Sequence, residues 1–466
     1  MNNLLSALVS SVLALSATPM SATANTSLRL PRVIGDNMVL QRNVTLPIWG
    51  CAAPGQKIKI FMAGASAVAE AGSDGRWTAT LPALEAGGPY EMTVSALRGA
   101  TLTVTNILIG EVWVCSGQSN MDIPVSLTQG GKEEVVAADW PEIRLLQPPH
   151  AASRVPASDV NAEWRTCSPA SVQNFSAVAY YFGRELHKEV KVPIGLIGAS
   201  WGSTTAQQWT PPEGYELVDD FASGRIKRER CPIGSGGAGG MYNGMVAPIV
   251  PFAIRGAIWY QGEDNVPRES ATYDKLLQAL ILGWRKVWGQ GEFSFYFVQL
   301  APLAGSGSLP VFWEAETRAM SIPRTGMVVI NDLVTDINDI HPSNKVDVGK
   351  RLAAWALAKD YGRKEMVHCG PMFKGMAIEG EKASVTFENV AGGLASRDGK
   401  GLTHFQVAGE DRKFVPAMAR IVGDKVEVYA EGVKPAAVRY AYDCTAQPNL
   451  MNKEGFPANS FRTDKW

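Results

Sequence analysis

The sequence ILIGEVWVCSGQSNM, residues 107–121, contains the pattern that decides the fold. Its apolar run from Ile107 to Val114 has the length of a buried strand, and Gly117 then begins a turn that carries Ser119. Similar runs recur and alternate with longer amphipathic stretches. Because alternating strands and helices are typical of a parallel sheet with helices on both faces, we expect a central α/β domain.

The other predicted strands of this domain lie at 192–197, 253–260, 293–298 and 327–330. Three stretches between them repeat apolar residues at helical spacing and therefore predict amphipathic helices. These apolar faces consist of Phe175, Val178, Ala179, Phe182 and Leu186; of Tyr273, Leu276, Leu277 and Leu280; and of Val348, Leu352 and Trp355.

The 466 residues leave room for about three domains. Short alternating runs separated by Gly and Pro predict a β-sandwich over residues 25–105, and the α/β domain follows over 106–370. The β pattern returns over 371–466, where we expect a second β-rich region.

The N-terminal segment has the features of a secretory signal peptide. A short apolar run extends from Leu4 to Leu15, and the small residues Ala22 and Ala24 form a cleavage site. We predict a signal peptide over residues 1–24 and a secreted or periplasmic protein. Since no later stretch approaches 18 uninterrupted apolar residues, no membrane association is expected after cleavage.

Composition excludes several other classes of protein. Lys plus Arg number 44 and Asp plus Glu number 45, so no strong positive field favours nucleic acid as a partner. The 46% of hydrophobic residues is ordinary for a globular protein. None of the six cysteines forms a C-x-x-C pair, which argues against structural zinc. Cys369 and Cys444 are the pair in which we expect a disulfide, since export permits one.

Ser119 is a candidate nucleophile because it follows a strand of a parallel sheet, where ligands bind. A hydroxyl needs an adjacent base to attack a substrate, and a serine at this position is also a common helix cap. The motif differs from the G-x-S-x-G elbow of α/β-hydrolases, because Met121 replaces the second glycine.

His341 is the candidate base, in the segment Asn338-Asp339-Ile340-His341-Pro342. Asp339 is close enough along the chain to orient the imidazole ring. The alternative is a loop histidine beside a helix cap.

Two further segments follow predicted strands. Gln261, Glu263 and Asn265 offer a second acid for His341 and amides for an oxyanion, although such residues also form ordinary turns. The segment 198–205 contains Gly202, whose backbone N–H suits an oxyanion.

These segments together resemble the sialate O-acetylesterase family of SGNH (GDSL-like) hydrolases, which is related to bacterial acetylxylan esterases. The resemblance extends from about Leu30 to the end of the chain. Its motifs are Gly117–Met121, Trp259–Glu263 and Asn338–Pro342. Further segments that resemble the family lie at 174–180, 242–245 and 452–458.

The resemblance implies a three-layer α/β/α sandwich with a parallel sheet, flanked by N- and C-terminal β-rich regions. It also implies a carboxylic ester hydrolase that removes acetyl groups from a carbohydrate and needs no metal or organic cofactor. Ser119 would be the nucleophile and His341 the base, with either Asp339 or Glu263 as the orienting acid. The backbone N–H groups of Ser119 and Gly202, with the Gln261 side chain, would form the oxyanion hole. The side chains expected to contact substrate are Gln118, Asn120, Trp201 and Asn265.

Three positions depart from patterns that the resemblance leads us to expect. Ser203 replaces a frequent glycine, which puts the geometry of that oxyanion donor in question. Asp264 replaces a frequent serine and adds a carboxylate near the site. Asn338 stands where many SGNH enzymes have the acid, which favours Asp339 or Glu263.

Two other functions compete with the esterase. The flanking β regions could belong to a glycan-binding protein without activity, although an intact set of Ser119, His341 and Asp339 argues against it. A metal-dependent phosphoesterase could use Asp332, Asp336, Asp339 and His341 as ligands. This alternative is weakened because the segment contains a single histidine.

Overall fold

The computed structural model describes residues 27–227 and 237–466. The predicted signal peptide, residues 1–24, therefore lies outside the described residues. Within the described part of the chain, no helix combines the length and the apolar character needed to cross a membrane.

The N-terminal region is built mainly from antiparallel strands, as its alternating pattern predicts, although its first strand, β1, runs parallel to β7. Several of these strands bury one face; in β3, for example, Ile58, Ile60 and Met62 are inaccessible while Lys57 and Lys59 are exposed. Strands β2 and β5 form one small sheet, and β4, β3 and β6 pair in series with the start of β7. The strands are β1 (Val39–Gln41), β2 (Leu46–Cys51), β3 (Lys57–Met62), β4 (Ala65–Glu70), β5 (Arg76–Leu81), β6 (Gly87–Ala96) and β7 (Thr101–Gly117).

The long strand β7 joins this region to the α/β domain. Its first half pairs with β6, and its second half is the centre of a parallel sheet. The predicted boundary at residue 106 thus lies inside one strand. The order of the parallel part is β13-β12-β11-β7-β10-β8, and β9 closes the edge in the antiparallel direction. The remaining strands of this sheet are β8 (Trp140–Leu146), β9 (Arg165–Cys167), β10 (Ile194–Ser200), β11 (Gly256–Tyr260), β12 (Ser294–Val298) and β13 (Thr325–Val328). β8 and β9 were not among the strands predicted from the sequence.

Helices cover both faces of the parallel sheet, which gives the expected three layers. Neighbouring residues of β12 point to opposite faces. Tyr296 contacts Trp355 of α11, and Phe295 contacts Trp284 of α9. The α-helices are α1 (Ser119–Asp122), α2 (Gly131–Ala137), α3 (Pro169–Val172), α4 (Ala177–Val190), α5 (Ala206–Trp209), α6 (Pro212–Glu216), α7 (Asp219–Ala222), α8 (Val266–Glu269), α9 (Tyr273–Trp288), α10 (Leu309–Ala319) and α11 (Lys345–Asp360). The three predicted apolar faces are buried against this sheet.

The C-terminal region has a hydrophobic core of its own, over residues 383–461, whereas the N-terminal and central regions share a single core. Its strands form three small antiparallel sheets. They are β14 (Met372–Glu379), β15 (Lys382–Glu388), β16 (Leu394–Ser396), β17 (Phe405–Ala408), β18 (Val415–Pro416), β19 (Met418–Val422), β20 (Lys425–Tyr429), β21 (Ala437–Tyr440), β22 (Leu450–Asn452) and β23 (Phe461–Arg462).

The expected disulfide between Cys369 and Cys444 is wrong, because both thiols are free. Different elements hold their backbones. The carbonyl of Cys369 accepts a hydrogen bond from Asn452, and that of Cys444 accepts one from Leu303 in the α/β domain. The location of both cysteines in the C-terminal part of the chain was therefore not enough to predict a disulfide.

Candidate active site

The predicted site residues follow four strands of the parallel sheet at one edge. Ser119 comes after β7, Gly202 after β10 and Glu263 after β11, while His341 lies in the loop between β13 and α11. Because parallel strands end on the same side, the sheet brings together residues that are up to 222 positions apart.

Ser119 begins the short helix α1, two residues after Gly117, where the backbone of β7 lies very close to that of β11. Gly117 has φ of 145°, and a Cβ at this position would lie 2.1 Å from the carbonyl oxygen of Tyr260 in the neighbouring strand. Only glycine fits this approach. The side chain of Ser119 is half-buried and therefore accessible to a ligand.

The imidazole of His341 is within hydrogen-bond distance of the candidate nucleophile. Its Nε2 lies 2.9 Å from Oγ of Ser119, as a base that takes the hydroxyl proton requires. Burial and the nearby Lys345 lower the pKa of His341, and the Asp339 carboxylate opposes this shift. The lowered pKa favours the neutral ring, which is the form that can accept a proton.

The C-terminal region holds the loop that carries His341. Asn331 donates to the carbonyl of Ala458 at 3.0 Å, and Gln447 donates to the carbonyl of Val334 at 3.0 Å. These contacts give this β-rich region a structural connection to the site.

The two candidate acids lie in different surroundings. Asp339 is exposed, and its carboxylate accepts a hydrogen bond from the backbone N–H of His341 at 2.8 Å. Glu263 is directed instead at Asn120, whose Nδ2 donates to it at 2.5 Å. Of the two carboxylates, Asp339 is the one whose charge acts on the imidazole.

Glu263 and Asn120 belong to a buried polar cluster beneath the nucleophile that also contains Lys345. Nζ of Lys345 donates to Oδ1 of Asn120 at 2.5 Å, and this ammonium also lies 5.1 Å from the ring centroid of Tyr260. Burial lowers the pKa of Lys345 to about 7, against the opposing charges of Glu263 and Asp339. Burial also raises the pKa of Glu263, while the hydrogen bond from Asn120 and the charge of Lys345 oppose that shift.

Lys345 was missed in the sequence interpretation. It is inaccessible to solvent, and its spacing of three residues from Val348 puts it on the buried face of α11. That spacing is the signal that could have identified it, since a buried lysine needs a polar partner.

Two backbone N–H groups are available for an oxyanion. Ser119 is the first residue of α1 and has no intrahelical acceptor for its N–H. The N–H of Gly202 has no acceptor within the described residues, and a Cβ at Gly202 would lie 3.3 Å from Cβ of Ser119. Ser203, which departs from the family pattern, has φ of 56°, a conformation that glycine adopts more easily.

Gln261, the third expected oxyanion donor, is occupied by protein contacts. Its Nε2 lies within 3.1 Å of acceptors on Gln118, Thr204 and Asn265. It is 1% exposed. The structure therefore brings Gln261 close to the nucleophile without directing its amide to a ligand.

Three of the four residues expected to contact substrate are likewise buried. Gln118 donates to Asp264, Asn120 lies in the cluster with Lys345, and Asn265 bonds to Gln207 and Glu269. These amides hold the turns around the site in place. Trp201 is the fourth, and its side chain is half-buried beside Gly202.

Trp201 stacks on His150, a residue whose position the sequence did not reveal. The two rings are nearly parallel, at an interplanar angle of 8° and a centroid distance of 4.7 Å. Nε2 of His150 is also 3.3 Å from the carboxylate of Asp122 in α1. The pair forms one wall of the site.

The carboxylates proposed as metal ligands have other partners. Asp332 forms a bidentate ion pair with Arg351 at 2.6 and 2.7 Å, and Asp336 accepts hydrogen bonds from Asn338. Within residues 27–227 and 237–466, no group of three His, Cys, Asp or Glu side chains is arranged to hold a metal ion.

Comparisons with known proteins identify a family of similar enzymes. A family model described as carbohydrate esterase, sialic acid-specific acetylesterase, matches residues 109–358. The sialate O-acetylesterase of Homo sapiens is 28% identical over 391 residues, which cover 75% of this chain and 74% of that protein. The corresponding protein of Mus musculus is 29% identical over 420 residues, with coverage of 76% and 77%. The crystal structure of a carbohydrate acetylesterase from Xanthomonas citri matches with a TM-score of 0.87 at 34% identity. That match covers 94% of this chain and all of the other.

Proposed function

Because the chain belongs to the sialic acid-specific acetylesterase family of carbohydrate esterases and is a carboxylic ester hydrolase, we propose that it deacetylates sugar hydroxyls through an acetyl-enzyme on Ser119. The observation that carries this proposal is the distance of 2.9 Å between Nε2 of His341 and Oγ of Ser119. Family membership argues against the glycan-binding protein and the metal-dependent phosphoesterase.

The proposed mechanism follows from the positions of the Ser119 hydroxyl, the His341 imidazole and the two backbone N–H groups. Oγ of Ser119 attacks the acetyl carbonyl carbon while Nε2 of His341 takes its proton. The carbonyl oxygen becomes an oxyanion, which the N–H groups of Ser119 and Gly202 stabilise. When the intermediate collapses, the bond to the sugar oxygen breaks and His341 returns the proton to that oxygen. Water then attacks the acetyl-enzyme by the same route, which releases acetate and restores Ser119.

Asp339 is proposed as the acid that supports His341. Its carboxylate accepts from the backbone of His341, and its charge favours the imidazolium that forms during the reaction. Glu263 is proposed as a positioning residue, because its contact is with Asn120.

The substrate is proposed to be an acetylated glycan or an acetylated sialic acid, met outside the cytoplasm after removal of the signal peptide. The family description names sialic acid, and the relative from Xanthomonas citri is described as a carbohydrate acetylesterase. The reaction chemistry does not fix the sugar, since the walls of the site select it.

Acetate release by the wild type and by Ser119→Ala tests the proposal. The substrates are O-acetyl sialic acid, acetylxylan, acetylated xyloglucan and acetylated pectin, with 4-nitrophenyl acetate as a generic ester. We expect release from at least one sugar ester, and loss of that release by several orders of magnitude in the variant. Near-normal release by Ser119→Ala would refute the mechanism. Binding of a glycan without any release would favour the non-catalytic alternative.

A further inference from the structure

A cavity of about 560 Å³ opens at the carboxyl end of β8, and we call it the β8–β9 cavity. Gln147 and His150 line it from the segment after β8, Asn161 from the segment that leads into β9, Arg165 from the start of β9, and Asn174 from the turn before α4. Its volume is within the range of small-molecule sites in proteins.

The cavity adjoins the catalytic groups through the stacked pair of His150 and Trp201. His150 lines the cavity, and its ring lies on that of Trp201 at 4.7 Å. Gly202, the next residue, is packed against Ser119. In the sheet, β8 is two strands away from β7, a separation of roughly 10 Å. The cavity therefore begins at the wall of the active site and continues away from it.

The lining offers hydrogen-bonding groups that the protein does not use. Among the described residues, the side chains of Gln147, Asn161, Asn174 and Arg165 have no hydrogen-bond or ion-pair partner. Amides provide both donors and acceptors, and a guanidinium provides several donors, which together suit the hydroxyls of a sugar. Their convergence on one concave space distinguishes them from scattered surface residues.

A second cavity, lined by the segments after β11 and β12 on the other side of β7, has a different chemistry. It has a volume of about 290 Å³, and its lining includes Leu300, Leu303 and Ile340 with Glu263. This mostly apolar lining offers a sugar fewer hydrogen bonds than the β8–β9 cavity does.

Building on the proposed function, we propose that the β8–β9 cavity is a subsite for the sugars that neighbour the acetylated one. The enzyme then acts on acetylated oligosaccharides in preference to acetylated monosaccharides. This preference follows from the distance between the nucleophile and the far end of the cavity. Because β9 is three strands from β7, roughly 14 Å away, a single sugar ring with its ester at Ser119 does not reach Arg165.

The test compares acetylated xylo-oligosaccharides with xylose tetraacetate, using the wild type and an Arg165→Ala/Asn161→Ala double variant. We expect the wild type to have the higher kcat/KM for the oligosaccharide. The double variant should raise KM for that substrate by about tenfold, the effect of losing one or two hydrogen bonds. Turnover of xylose tetraacetate and of 4-nitrophenyl acetate should be unchanged, because neither ester reaches the altered residues. Arg98→Ala, at an exposed position of the N-terminal region, is the matched control and should have wild-type constants.

Two results would overturn the subsite. One is equal efficiency on the monosaccharide and the oligosaccharide, and the other is an unchanged KM in the double variant. Hydrolysis of 4-nitrophenyl acetate without hydrolysis of the oligosaccharide would also overturn it, while leaving the serine mechanism intact. Failure of the proposed function itself is recognised separately, because Ser119→Ala would then hydrolyse 4-nitrophenyl acetate as fast as the wild type.

Discussion

Nζ of Lys345 lies 2.5 Å from Oδ1 of Asn120, so the helix after His341 is joined directly to the turn that carries Ser119. Asn120 also donates to the carbonyl of Ile340 at 3.0 Å, which adds a second connection between the two segments. The nucleophile and the base are thus positioned by one polar cluster, whose titratable members are Lys345 and Glu263.

Lys345 should move the acid limb of the pH–activity profile to lower pH, because its charge lowers the pKa of His341. The active base is the neutral imidazole, so kcat/KM rises as the pH passes upward through the pKa of His341, which lies below its ordinary value. Because the pKa of Lys345 is about 7, this lysine is charged in the range where His341 titrates. Lys345→Met removes the charge, so the pKa of His341 should rise and the acid limb should move to higher pH.

Profiles of 4-nitrophenyl acetate hydrolysis from pH 4 to 9 measure this shift. Lys345→Arg keeps the charge and should leave the limb near its wild-type position. A purely structural role for Lys345 predicts a lower rate in Lys345→Met with no movement of the limb. Glu263 and Asp339 also face Lys345 electrostatically, so both must be intact in these variants.

Asp339→Asn and Glu263→Gln should separate the two candidate acids. Asp339 raises the pKa of His341, so Asp339→Asn should move the acid limb to lower pH and reduce kcat by tenfold or more. Glu263→Gln should change kcat less, because Glu263 contacts Asn120 and makes no hydrogen bond with the imidazole. The measurement is kcat and its pH dependence for both variants. A larger loss in Glu263→Gln would assign the orienting role to Glu263.

Gly202→Ala should impair catalysis while leaving the fold intact. The new Cβ would lie 3.3 Å from Cβ of Ser119, so the nucleophile or the oxyanion donor must shift by a few tenths of an ångström. We expect kcat to fall by about 10- to 100-fold, since small displacements of reacting groups are costly. Gly401→Ala is the control, because a Cβ there meets no atom within 4 Å. Full activity in Gly202→Ala would exclude this N–H as a closely fitted oxyanion donor.

Glu111 should be a main determinant of stability. Its side chain is inaccessible and bonds to Gln41, Arg42 and Arg255 at the end of the sheet opposite the site. Burial acts to raise the pKa of Glu111, but Arg255, Gln41 and Arg42 outweigh it and keep the pKa below the ordinary value. Glu111→Gln should lower the free energy of unfolding by about 3 kcal/mol at neutral pH, because the half-buried guanidinium groups of Arg42 and Arg255 lose their buried counter-ion.

Urea unfolding at several pH values measures this loss. A carboxyl group with a depressed pKa stabilises the protein above its unfolded-state pKa, about 4.3, and stops doing so as the pH falls through its folded-state pKa. The difference between wild type and Glu111→Gln should therefore narrow in acid. Glu163→Gln is the control, since Glu163 is 76% exposed in its ion pair with Arg32 and should contribute almost nothing. Equal stability of Glu111→Gln and the wild type at pH 7 would contradict the prediction.

The sequence determined the strands and helices whose signal is local. The apolar runs at β7, β10, β11, β12 and β13 and the apolar faces of α4, α9 and α11 follow from periodicity, which neighbouring residues set. Ser119 and His341 could also be proposed as candidates, because each stands in a distinctive motif beside a strand or helix end. By contrast, β8 and β9 lack a distinctive apolar run, and β9 has three residues.

Only the tertiary structure decided which polar groups meet. Asn120 and Lys345 are 225 positions apart, and Gln118 and Gln261 are 143 apart, so no local pattern pairs them. For the same reason the sequence could not reveal that Gln261 and Asn265 are occupied by protein partners, that His150 stacks on Trp201, or that Cys369 and Cys444 form no disulfide. The sequence specifies the chemical type of each side chain. The burial, the charge state and the partner of that side chain are set by the folded chain, because each depends on distances that only packing defines.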